Sequence, residues 1–166
     1  MTGELIRDAT LDDADQLNEI YNQYIVDSHV SFDTIPWTQT ERESWLESRF
    51  ADGYPVLVIE HAGSVVGASW SGPWRNRAAY RVSVETTVVV DPRYTHAGRG
   101  TELLSAMLAR LRTEGFHRAY AIVALPNEAS VRVHKKVGFT EIGVLDEAGH
   151  KGGVFVSTML LEKRLA

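Results

Sequence analysis

The distribution of apolar residues places a strand, a glycine turn and a helix at the centre of this chain. Residues 84–90 read VETTVVV, a β-branched composition suited to a strand buried on both faces. Asp91 and Pro92 stop that strand, and a turn bearing Gly98 and Gly100 follows at residues 95–100. Leu103, Leu104, Met107, Leu108 and Leu111 then recur at the spacing of one helix face. A strand feeding a helix through such a turn leaves backbone N–H groups unpaired and aimed at an anion, and the helix dipole adds to the pull. The pattern predicts a phosphorylated ligand at residues 98–101.

The other periodicities fall in order around this unit. Residues 4–7 predict a first strand, and Thr10 followed by Asp13 marks a helix start. Ala14, Leu17, Ile20, Tyr21, Tyr24 and Ile25 share one face of a helix ending near Ser28, and residues 29–36 carry no clear period. Thr38 with Glu41, and Thr40 with Glu43, form overlapping capping-box patterns. A helix is expected from there to about Ala51, with Trp45, Leu46 and Phe50 buried. Residues 55–60 and 65–70 predict a hairpin around Ala62 and Gly63.

A loop rich in Trp and Arg at residues 73–77 leads to Tyr80 and the central unit, whose helix stops at Gly115. Residues 118–124 predict the next strand, and residues 129–137 a short helix closed by Gly138. Residues 139–145 and 154–161 predict a final antiparallel pair across a loop at 146–153. The order is mixed α/β. Only the central strands are joined through helices, too few crossovers for a doubly wound parallel sheet.

At 166 residues the chain is expected to form one domain with a substantial core. Its net charge of −5 argues against a nucleic-acid-binding surface, although Arg93, His96 and Arg99 supply a local basic spot. The lack of cysteine excludes disulfides, thiolate catalysis and cysteine–zinc sites. No apolar run reaches the length of a membrane span, and residues 1–8 lack the features of a signal peptide. The expected location is the cytoplasm, with no membrane partner.

Taken alone, Gly98 and Gly100 are as compatible with a structural turn as with a phosphate loop. A Rossmann fingerprint wants a third glycine where Leu103 stands, and a Walker A loop wants a Gly-Lys-Ser/Thr triplet that the chain lacks. His-Glu-x-x-His is absent, so no metal is expected, and His61, His117 and His150 are assigned surface or turn roles. No Gly-x-Ser-x-Gly elbow points to a serine hydrolase.

The six positions Thr95, His96, Ala97, Gly98, Arg99 and Gly100 resemble motif A of the GCN5-related N-acetyltransferases, Gln/Arg-x-x-Gly-x-Gly/Ala, with Thr95 departing at the first position. A second family motif follows from Asn127 through Ser130 to His134, and then Gly138-Phe139. Within the superfamily the whole chain is similar to the phosphinothricin / methionine sulfone acetyltransferase branch. The likeness runs through IRDAT at 6–10, SFDT at 31–34, SGPWRNRAAY at 71–80, VETTVVVDPRY at 84–94 and LPNEASVRVHKKVGF at 125–139.

The resemblance implies a twisted, mostly antiparallel sheet with a V-shaped opening between the strands at 84–90 and 118–124. It implies an acetyl-CoA-dependent N-acetyltransferase acting on the α-amine of a small amino-acid-like acceptor, and a homodimer. The acetyl-CoA contacts it implies are His96, Ala97, Gly98, Arg99, Gly100 and Thr101 for the pyrophosphate, with Asn127 and Ser130 at the pantetheine arm and helix start. A strand irregularity is expected to free the N–H of Val88 or Val90 for the acyl carbonyl oxygen.

Acetyl transfer to an amine needs a neutral nucleophile, a polarised carbonyl and a protonated leaving thiolate. At neutral pH, deprotonating an α-amine of pKa near 8 costs about 1.4 kcal/mol, against about 4.6 kcal/mol for a lysine amine. One carboxylate acting through water therefore suffices for an α-amine. Glu85 interrupts an apolar run; by pattern alone it is also compatible with an outward-facing strand residue, and the resemblance makes it the base. His134 stands where many superfamily members carry a tyrosine that serves the departing sulfur, and a helix-packing histidine fits the same position.

Trp74, Arg75 and Tyr80 form an aromatic–cationic group before the strand, and Arg75 suits a two-pronged grip on a substrate carboxylate. Phe32 and Asp33 are expected to wall the acceptor pocket. One departure concerns Lys151-Gly152-Gly153-Val154-Phe155-Val156, where close family members carry Trp-x-Asp; a different acceptor wall or dimer contribution is expected there. Two rival readings stand beside amino-acid acetylation: acetylation of another amine, such as a polyamine or a peptide N-terminus, and a non-catalytic acyl-CoA sensor.

Overall fold

The β-branched run of the central strand calls for cover on both faces, and the tertiary structure supplies it. The computed structural model describes residues 4–166. Strands β1 (Leu5–Asp8), β2 (Val56–His61), β3 (Ser64–Pro73), β4 (Ser83–Val90), β5 (Arg118–Ala124), β6 (Thr140–Lys151) and β7 (Val154–Arg164) form one sheet in the order β1-β2-β3-β4-β5-β7-β6. Among the described strands only β4 and β5 run parallel. The α-helices are α1 (Ala14–Asp27), α2 (Gln39–Ala51), α3 (Arg99–Thr113) and α4 (Glu128–Lys136).

On β2 the pattern divides cleanly. Leu57 and Ile59 pack with Leu103, Leu104, Met107 and Leu111 of α3, while Val56 and Val58 face Leu17 and Ile20 of α1 and Leu46 of α2. A buried leucine contributes about 1.5–3 kcal/mol, so these two layers hold the helices to the sheet. Helix α2 opens on the first of the two overlapping caps: Thr38 accepts from the Glu41 N–H while the Glu41 carboxylate takes the Thr38 N–H. Its inward stripe is occupied by Arg42, Trp45, Leu46 and Arg49. Phe50 lies past the edge of that stripe and is 42% exposed, contrary to its expected burial.

The predicted loop at 146–153 is instead strand. β6 continues to Lys151, with its register shifting between Leu145 and Gly149, and Gly152 and Gly153 make the turn. As the edge strand it is exposed along most of its length, so no alternation of apolar residues marked it. The tip of this hairpin folds back on the aperiodic segment after α1. Lys151 donates to the Ser31 carbonyl at 2.6 Å, and the ring of Phe32 lies against Gly149.

The relation between β4 and β5 positions the site. Their pairing covers only Ser83↔Arg118, Val84↔Ala119 and Glu85↔Tyr120, after which the strands part. Val84 and Thr86 are buried, but Thr87 to Val90 are only half-buried because their neighbour has left.

Candidate active site

The gap between β4 and β5 opens into a cavity of about 900 Å³. Its walls include the start of α3, α4, and Tyr21 and Tyr24 of α1, with Tyr24 reaching the Val90 end of β4. Its long edge is the parted segment of β4 from Thr86 to Val90, facing Ile122, Val123 and Ala124 of β5.

At the α3 end, Gly98 is the residue before the helix and has φ +83°, a left-handed conformation that costs an L side chain about 1–2 kcal/mol. The N–H groups of its first turn, at Arg99, Gly100 and Thr101, have no intrahelical partners, and no side chain among the described residues caps them. Thr95, His96, Gly98, Arg99, Gly100 and Thr101 line the cavity, and Ala97 does not. The Arg99 side chain is committed elsewhere: its guanidinium donates to the Tyr94 carbonyl at 2.8 Å and pairs with Glu4. What Arg99 offers an anion is therefore its backbone.

The β4 edge provides further donors. Asp91 N–H donates to the Val66 carbonyl and Ser69 Oγ to the Thr87 carbonyl, so odd-numbered peptide groups of β4 face β3. Those of Val88 and Val90 consequently face the gap. The expected irregularity is not the cause, because the β3–β4 register runs unbroken from Gly67↔Val90 to Pro73↔Val84. Departure of β5 exposes them. The Val90 carbonyl is taken by the hydroxyl of Tyr24.

On the opposite wall Asn127 caps α4, its Oδ1 accepting from the Ser130 N–H at 3.1 Å. His134 is buried, 3% exposed, and its Nδ1 lies 2.8 Å from the Ser130 carbonyl oxygen. A carbonyl only accepts, so Nδ1 carries the proton and the neutral ring holds a bare lone pair at Nε2. That Nε2 is buried without a partner among the described residues, and the residue lines the cavity. Burial pushes the imidazole pKa down, so the ring is neutral at pH 7.

Glu85 belongs to the last paired rung, between Gly72 and Tyr120, one residue before the cavity edge at Thr86. Burial pushes its carboxyl pKa up, while the charges of Arg75 and Arg49 act in the opposite sense. Trp74 stacks on Tyr120 with ring centroids 4.4 Å apart, and the Arg75 guanidinium lies 4.6 Å from the Trp74 ring centroid. Trp74 and Arg75 thus gather near the Glu85 rung. Tyr80 sits on a 3₁₀ turn (Ala78–Val82) and is 44% exposed. Phe32 does not line the cavity; its neighbours Val30 and Ser31 do.

Sequence reasoning missed Tyr21, Tyr24, Arg132 and Lys136, all lining the cavity. Arg132 and Lys136 stand four apart, on one face of α4, and that spacing was the available signal.

The residues present fit acetyl-CoA: uncapped N–H groups with Arg132 and Lys136 suit its phosphates, and the strand gap suits an extended arm. Residues 17–139 match the acetyltransferase (GNAT) family. The chain belongs to this family, an N-acetyltransferase by class. It is 39% identical over 163 residues to a phosphinothricin N-acetyltransferase of Streptomyces coelicolor, covering 96% of this chain and 95% of that protein. It is 32% identical to an L-methionine sulfoximine/L-methionine sulfone acetyltransferase of Salmonella typhimurium, covering 96% and 94%. A crystal structure of a phosphinothricin acetyltransferase from Sinorhizobium meliloti in complex with acetyl-CoA superposes with a TM-score of 0.95 at 28% identity, covering 100% of this chain and 90% of that one.

Proposed function

We propose that this chain transfers the acetyl group of acetyl-CoA directly to the α-amine of a small amino-acid-like acceptor, such as phosphinothricin, methionine sulfone or sulfoximine, or an ordinary amino acid. The observation that carries this reading is convergence on one cavity. The uncapped start of α3, the peptide groups of Val88 and Val90, and His134 all meet it, and Glu85 stands at its apex. Relatives with those activities support the acceptor class.

Acetyl-CoA, when bound, supplies an activated thioester. The backbone N–H groups at Arg99, Gly100 and Thr101, with Arg132 and Lys136, hold its phosphates. The N–H groups of Val88 and Val90 offer preorganised donors to the carbonyl oxygen. Glu85 takes the amine proton, directly or through water. Buried and neutral, with Nδ1 donating, His134 does not begin as an acid; once the amine has given its first proton to Glu85 and attacked the carbonyl, Nε2 accepts the second amine proton and passes it to the sulfur as the C–S bond breaks. Two guanidinium groups near Glu85 make a poor site for a polyamine and a good one for an acceptor carrying a carboxylate.

The homodimer reading draws support from the last hairpin, where Ile142, Val144, Leu145, Val154 and Phe155 are 49–62% exposed. Free-thiol release, measured with methionine sulfone, methionine sulfoximine, phosphinothricin, ordinary amino acids, a polyamine and a peptide, tests the activity. Release with amino-acid acceptors supports the reading, preference for the polyamine or peptide overturns the acceptor class, and binding of acetyl-CoA without release with any amine overturns catalysis.

A further inference from the structure

Glu85 and Gly72 are direct cross-strand partners, so their side-chain positions share one face of the sheet. That face is the one covered by α2. A Cβ at Gly72 would lie 2.6 Å from Nη1 of Arg49, 3.0 Å from its Cζ and 3.1 Å from Nη2. The missing side chain is thus the space in which the Arg49 guanidinium lies, beside the proposed base. The arginine reaches it from the last turn of α2, over the ring of Trp45 at 5.3 Å and of Tyr54 at 5.9 Å.

This guanidinium is unusually idle. Its Nε is buried with no hydrogen-bond partner, and among the described residues no carboxylate pairs with it within 4.0 Å. Glu85 itself makes no side-chain hydrogen bond among them. Leaving a half-buried guanidinium unpaired is costly, since hydrogen bonds to charged groups are among the stronger ones and a buried donor without a partner keeps its full desolvation penalty. Packing alone would be served by a methionine or leucine. The arrangement makes sense if the acceptor for these N–H groups arrives with the substrate.

We propose that Arg49 is an anion-binding residue of the acceptor site, its guanidinium in the space left by Gly72 taking an oxyanion of the molecule whose amine lies on Glu85. This rests on the acetyl-transfer reading. With Glu85 ionised, Arg49 and Arg75 leave the rung one positive charge in excess, a surplus that an acceptor oxyanion offsets. The role differs from that of Arg75, which approaches from an exposed loop; Arg49 is anchored on a helix and sets the distance between anion and amine. Either the α-carboxylate or a second, distal oxyanion of the acceptor satisfies the chemistry.

The test uses two variants that disturb the guanidinium differently. Arg49→Gln removes the charge. Gly72→Ala keeps it and displaces only the flexible end of a side chain, so this variant folds. Binding by calorimetry in the presence of CoA, and acceptor KM, are measured for an amino acid and its α-carboxamide, and for glutamate and glutamine. Wild type is expected to favour the charged member of at least one pair by tenfold or more. Both variants should cut that preference at least fivefold while acetyl-CoA affinity stays within twofold. Equal binding of both members of each pair by wild type overturns the proposal, as does a preference that survives in both variants. If the binding preference behaves as expected but no thiol is released, acetyl transfer fails and the anion site stands.

Discussion

The imidazole of His134 is fastened by Nδ1 to the carbonyl oxygen of Ser130, 2.8 Å away and one helical turn earlier. This single contact fixes which nitrogen carries the proton in the neutral ring and leaves the other buried with no partner among the described residues, in a side chain that lines the cavity. A buried acceptor left unpaired costs about 1–3 kcal/mol, so a purely structural histidine would be expected to use both nitrogens.

Replacing His134 separates the two roles the sequence left open. His134→Ala should lower kcat by about 10²-fold, the usual scale for a positioned proton-transfer group, with acetyl-CoA Kd changed less than threefold. A drop in Tm with kcat intact would assign the histidine to packing. Stopped-flow thiol release and calorimetry decide between them.

Glu85 should govern the acid limb of the rate profile. Burial raises its pKa above the ordinary carboxylate value, and a base works only when ionised, so activity falls as pH drops through that raised value. Glu85→Gln removes this limb and lowers kcat far more than acetyl-CoA affinity. Because Arg49 and Arg75 hold the pKa down, removing either charge should move the limb to higher pH. A pH series of kcat/KM on wild type and the three variants reads these effects.

The start of α3 offers a test in which protein packing and ligand contact respond differently. A Cβ at Gly100 would meet Val133 and Val90 only at 3.8 Å, an ordinary contact, so Gly100→Ala should leave Tm within about 2 °C. Acetyl-CoA binding should stay within about threefold too, since the family motif accepts alanine at this position, whereas Gly100→Asp, which sets a carboxylate where the phosphate must approach the backbone, should weaken it tenfold or more. Gly98→Ala should cost stability as well, about 1–2 kcal/mol, through its left-handed φ. Arg132→Ala should weaken binding several-fold and reduce its salt dependence.

The exposed hairpin predicts self-association. Phe155→Asp places a charge on the most exposed part of this apolar surface, 62% accessible, and should shift a dimer to monomer in sedimentation at micromolar concentration. An identical sedimentation coefficient for both proteins would place any dimer contact elsewhere.

Legibility of the chain followed burial. Residues whose surroundings are set by near neighbours announced themselves: the VETTVVV strand, the leucine stripe of α3, and the Thr38–Glu41 cap all formed where periodicity put them. Elements exposed on both sides did so only in part: residues 146–151, the second half of β6, looked like loop because an edge strand needs no apolar face. Phe50 was misplaced because Arg42 and Arg49, charged residues, took inward positions that hydrophobicity would assign elsewhere.

The sequence by itself determined the family, the strand-turn-helix unit and the residues from which an anion cradle is built, since these depend on local geometry: a left-handed glycine, uncapped N–H groups, a helix axis. Only the tertiary structure decided that β5 leaves β4 after Glu85, that the peptide groups of Val88 and Val90 are thereby bared, that Arg99 turns its side chain away, and that Arg49 fills the space over Gly72. Each of these joins residues far apart along the chain, and which of them meet is settled by how the helices and strands pack rather than by any spacing within one of them.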